Sequence, residues 1–120
     1  MNENVMLKYK NICESLPLVD RVEVFNNSLK IVTNILMGGT DTFLNLFLIF
    51  DGDDVCLSDS NEIYRLCDGF YDVSEENLKK IAEKTDLDYE DYRFTKLVNE
   101  KTIGDVISKF EIVRDIICEY

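Results

Sequence analysis

Nine carboxylates fall between residues 51 and 76: Asp51, Asp53, Asp54, Asp59, Glu62, Asp68, Asp72, Glu75 and Glu76. Only Arg65 opposes them, so this segment carries −8 of the net −11. A dense run of acids can ligate a hard cation, activate water beside a metal, or offer a negative face to a basic partner. Counted from Asp51 as position one, Asp53, Asp59 and Glu62 take positions three, nine and twelve, the ligand order of a calcium loop. Position five is Val55, which has no ligand atom on its side chain, and position six is Cys56 where glycine must make the bend. A second acidic group, Asp86, Asp88, Glu90 and Asp91, has Leu97 at its twelfth position and reads as a polar loop. A magnesium-dependent hydrolase needs converging carboxylates, but Asp20 and Glu23 stand three apart on an expected strand and point to opposite faces. Gly38-Gly39-Thr40 lacks the lysine and the preceding glycine of a phosphate-binding loop and reads as a tight turn.

The chain has no histidine, which removes the commonest general base and every Ser-His or Cys-His nucleophile pair. Cys13, Cys56, Cys67 and Cys118 include no pair two residues apart, the spacing of a zinc knuckle. Each sits beside apolar residues and reads as a reduced, buried thiol with no catalytic partner. No catalytic residue, metal or cofactor is therefore expected. Thirteen basic against 24 acidic residues argue against direct contact with nucleic acid or with an anionic membrane. Residues 1–11 hold two lysines but no apolar run of signal-peptide length, so a cytoplasmic setting is expected.

What remains is docking. The nine acids from Asp51 to Glu76 are the expected partner-binding residues, lying on turns and helix starts at the surface. Their partner would be a basic host protein, such as a nucleic-acid-binding effector whose cationic groove an acidic ridge could fill in place of DNA. Two alternatives are a self-associating subunit and an enzyme built on carboxylates and a divalent metal.

These residues must be carried by one domain, since 120 residues leave no room for a second core. At 46% hydrophobic and 31% charged, with one proline, the composition is globular. Residues 3–16 have the three- and four-residue apolar spacing of a helix, stopped by Pro17. Residues 18–25 and 29–37 alternate as strands around the Asn26-Asn27 turn, a hairpin. Residues 42–50 are almost continuously apolar and read as a central strand covered on both faces, returning after Asp51–Asp54 through residues 55–58. Asp59 or Ser60 caps a short helix, and residues 70–73 cross to the next element. Ser74 caps residues 75–84, and residues 89–95 form a fifth, edge strand. Thr102 with Asp105 has the form of a capping box before a long C-terminal helix. The expected fold is α+β: an antiparallel sheet of four to five strands, with the N-terminal helix and the long C-terminal helix packed on it.

Residues 41–66 resemble a family of small bacterial and phage domains of unknown function. The shared features are the apolar strand Leu44 to Phe50, the Asp51-Gly52-Asp53 turn, the return ending Leu57-Ser58-Asp59, and the helix with Glu62-Ile63 and Leu66. The likeness extends loosely over residues 29–118. The family's Asp-Gly pair after the Leu-Ser-Asp element is replaced here by Ser60-Asn61. That family has no established activity, so the resemblance implies a fold and a mobile-element setting. The charge, read in such a setting, leads to the expectation of an acidic inhibitor of a host defence protein, of the anti-CRISPR kind.

Overall fold

The computed structural model describes residues 3–69 and 71–120. Helix α1 (Glu3–Glu14) turns its apolar stripe inward through Tyr9 and Cys13 and ends before Pro17. Strands β1 (Val19–Phe25), β2 (Ser28–Leu36), β3 (Phe43–Asp51) and β4 (Asp54–Ser58) then form an antiparallel meander. Asn26 takes the positive φ that the first hairpin turn needs, as asparagine tolerates best among residues with a side chain. Helices α2 (Glu62–Gly69) and α3 (Glu75–Lys84) follow. The Ser74 hydroxyl accepts from the Asn77 N–H, as expected of an N-cap. Phe70, in the crossing read from sequence, lies outside the described residues.

The expected edge strand over residues 89–95 is instead a hairpin, β5 (Asp88–Glu90) and β6 (Arg93–Leu97). Asp91 and Tyr92 make its turn, both at positive φ. The sheet thus has six strands, in the order β1-β2-β3-β4-β6-β5, antiparallel throughout. The last helix, α4 (Ile103–Ile117), lies over the same face as α1: Phe110 meets Phe94, and Gly104 sits beside Leu16. Thr102 does not make the capping box read from its spacing, because its hydroxyl accepts from the Asn99 N–H. Asn99 stabilises this turn instead, its side-chain oxygen accepting from the N–H groups of Lys101 and Thr102.

Cross-strand partners share a face, so the ladder assigns every side chain. Leu29, Ile31, Leu46, Leu48, Leu57 and Phe94 face the helices and are buried. Strand β3 is therefore covered on one face only, which corrects the reading of a strand covered on both. Its leucines, Leu44, Leu46 and Leu48, point inward; Phe43 and Ile49 stand on the open face, 47% and 40% exposed. The run looked continuous because the outward positions are apolar too.

Candidate functional site

The structure separates the nine acids. Asp51, Asp53 and Asp54 are exposed at the β3–β4 turn, where Gly52 adopts positive φ. Asp68 and Asp72 are also exposed, but at the other end of the sheet. There the Tyr71 hydroxyl donates to the carbonyl of Gly38 in the β2–β3 loop. The end of α4 reaches the same loop, with the Cys118 Sγ 2.9 Å from where a Cβ on Gly38 would stand. Nine residues of β3 lie between the two ends, roughly 26 Å at a strand's rise per residue. Glu75 and Glu76 sit on α3 with Lys79 and Lys80 one turn on, at 3.4 and 4.0 Å.

Asp59 departs furthest from the surface expectation: it is fully buried. The chain leaves β4 and starts α2 beneath β6, and the Asp59 carboxylate fastens that junction. One oxygen accepts from the N–H groups of Asn61 and Phe94, at 3.2 and 3.0 Å; the other accepts from Ile63 N–H at 3.1 Å. Burial outweighs these hydrogen bonds and pushes its pKa up to about 6. Glu62 is half-buried at the edge of β3 where β4 has ended. Burial raises its pKa, partly offset by the backbone of Asn45 and by Arg65 and Lys30. Among the described residues no single acidic ridge exists, because β4 and then α2 carry the chain from one end of the sheet towards the other, and Asp59 between them is taken inside.

The second acidic group is divided as well. Asp86 lies between Lys96 and Lys109, at 3.4 and 3.3 Å, and the Lys109 hydrogen bond leads in lowering its pKa. Asp91 pairs with Arg93. Among the described residues no three Cys, Asp or Glu side chains come together as a metal site.

What the fold does assemble is its open sheet face. One row of directly opposed residues crosses five strands: Phe25, Ser28, Ile49, Cys56 and Leu97. At the usual strand spacing it is about 19 Å long. Phe25 and Leu97, at its ends, are 57% and 62% exposed. Phe47, one step along β3, packs edge-on to Phe25 with ring centroids 6.5 Å apart. Asp51 and Asp54 oppose each other beyond one side of the row; on the other lies Glu23, Lys30, Phe47, Ser58, Thr95 and Asp88. Near Cys56 the face dips into a hollow of about 300 Å³ lined in part by Ile49, Glu90, Asp91 and Arg93. Sequence reasoning missed this row because its members come from five separate segments. The one local signal was Phe and Ile at the alternate positions of β3.

Burial holds back three of the four thiols as nucleophiles. Burial pushes Cys13 up to about 12 and Cys67 up to about 11, and it also raises half-buried Cys56. Cys118 alone is exposed. At about pH 8 a disulfide reagent is expected to modify Cys118 first, and Cys13 and Cys67 only after denaturation. Mass spectrometry after timed labelling checks this, and equal native rates at Cys118, Cys13 and Cys67 would contradict it. No described helix is long and apolar enough to cross a membrane. No family model, curated protein or solved structure matches this chain, so the site is read from its own residues.

Proposed function

We propose that this chain is a protein-binding module whose open sheet face docks on a partner with an apolar centre bordered by lysine and arginine. The observation that carries this reading is the row Phe25, Ser28, Ile49, Cys56 and Leu97, exposed at Phe25, Ile49 and Leu97, with Asp51, Asp54, Asp88 and Glu90 around it beside Lys30 and Arg93. Water-exposed apolar area supplies the driving force, and flanking acids select the partner's charge and speed the encounter. A nucleic-acid-binding protein presents such a basic surface. An inhibitor of a host defence effector is the narrower form of the reading, supported by the net charge of −11.

The test replaces Ile49 and Leu97 together by lysine, at positions exposed enough to leave the core alone. Resin-bound wild-type and variant proteins are offered the same cell extract, and retained proteins are cross-linked and mapped. A specific partner is expected to cross-link to the open face, to be lost on the variant and to elute as salt rises. Equal retention by the variant, or cross-links confined to the helical face, would sink the reading.

A further inference from the structure

The sheet has two free edges. The β5 edge is three residues long, carries Asp88 and Glu90, and runs straight into the Asp91-Tyr92 turn, so it offers little to pair with. The β1 edge is seven residues long and, among the described residues, pairs only with β2. Along its other side, alternate N–H and C=O groups from Arg21 to Phe25 are unpaired among the described residues; at its start the Val19 N–H is taken by Leu16 and the register shifts between Val19 and Arg21. Two of its large apolar side chains, Val24 and Phe25, are 64% and 57% exposed. Val24 also lines a cleft of about 480 Å³ between α1 and the hairpin, with Met6, Leu7 and Leu29 beside Glu3, Lys10, Asn26 and Asn27.

The charges on β1 select a partner. Two identical strands that pair antiparallel along one edge keep outward residues opposite outward residues, so the centre of symmetry falls on a residue. Centred on Arg21, the pairing sets arginine against arginine; centred on Glu23, glutamate against glutamate. Centred on Val22, it sets Arg21 of each copy against Glu23 of the other, twice, and Val22 is also the midpoint of the strand. Arg21 already lies 2.8 Å from Glu23 within its own strand, so the same groups need only exchange partners. Lys30 stands opposite Glu23 on β2, so this edge is close to neutral although the chain carries −11.

We propose that the free edge of β1 joins two copies of this chain, antiparallel and centred on Val22, so that each six-stranded sheet continues into the other. The open faces then lie side by side, and the exposed ends at Val24 and Phe25 are covered. This concerns the edge of the sheet and stands apart from the docking reading of its face.

The test is sedimentation of three proteins: wild type, Arg21→Glu and Glu23→Arg. Wild type is expected to rise from the 14.0 kDa of one chain towards twice that mass through the micromolar range. Each single variant places like charges opposite one another and is expected to remain monomeric. Mixed together, the two variants restore both opposite-charge pairs and are expected to form a mixed dimer. Circular dichroism confirms that each variant is folded, as the exposure of both positions predicts. A monomeric wild type across the range overturns the proposal. So does a dimer that survives either substitution, and so does a mixture of the variants that stays monomeric.

Discussion

Asp59→Ala is expected to destabilise the fold by about 3–5 kcal/mol, because three backbone N–H groups lose their only described acceptor and two of them, on Ile63 and Phe94, are buried. Those donors belong to the start of α2 and to β6, so the loss reaches both sides of one junction. Asp59→Asn keeps an oxygen for Asn61 and Phe94 and turns an amide donor towards Ile63, so it should lose less. The pH dependence has a definite sign. The folded pKa of about 6 lies above the ordinary carboxylate value of 3.8. Below about pH 4 the group is protonated in both states. Between about 4 and 6 the fold keeps a proton that the unfolded chain releases, so stability falls as pH rises through this window, by a total of order 3 kcal/mol. Above it both states are ionised and this contribution is flat. Glu62, also raised by burial, adds to the slope in the same direction. Urea unfolding at a series of pH values should show a shallower decline in Asp59→Asn than in wild type. An unchanged slope, or an Asp59→Ala midpoint equal to wild type, would refute the assignment.

The same residue shows what could be read from sequence. Asp59 follows a strand and precedes Ile63 by one turn, which is enough to mark a helix cap; its burial comes from the contact with Phe94 of β6, which is distant in sequence. A cap buried between a strand end and a neighbouring strand has spent its lone pairs on backbone. The meander and the four helices were legible because period-two and period-3.6 patterns are local, and Pro17 and Asn26-Asn27 punctuate them. The β5–β6 hairpin was not, since its turn contains no glycine or proline and places Tyr92 at φ 64, where a bulky residue is rarely found. The distribution of acids could not be read either. Neighbours in sequence share a surface only if the chain between them stays put, and α2 does not.

The open face follows from the same economy. All four helices are spent on one side of the sheet: α1 on β1 and β2, α2 beside β3 and β6, α3 against β5 and α4, and α4 across Phe94. The outward residues Phe43, Phe47 and Ile49 of β3 stay apolar among polar neighbours such as Lys30, Asn45 and Ser58, and among the described residues no helix covers them. The acidic positions around that row resist indiscriminate self-stacking of the face, while the near-neutral edge of β1 leaves one direction in which two copies can meet.

Phe110→Ala is expected to cost about 3–5 kcal/mol, a large share of the roughly 5–15 kcal/mol that holds a domain together. Phe110 is fully buried and fixes the last helix to the sheet through Phe94, ring centroids 6.4 Å apart at 71°. Phe94 in turn meets Tyr89 edge-on at 5.1 Å, and its backbone N–H is held by Asp59. Removing the ring leaves a cavity where α4, β5 and β6 converge, and backbone on three elements cannot close over it without moving. Phe110→Leu fills part of the space and should cost less. Because Phe94 touches both Phe110 and Asp59, the Phe110→Ala and Asp59→Ala losses should not add: in the double variant the junction is already loosened, and the combined loss should fall short of the sum by 0.5 kcal/mol or more, about the smallest coupling seen between residues that share a partner. Urea unfolding of the two single variants and the double gives that coupling directly. Strict additivity would show that the helix–sheet contact and the carboxylate latch act independently, and a Phe110→Ala midpoint within the range of surface substitutions would show that α4 is not anchored through this ring.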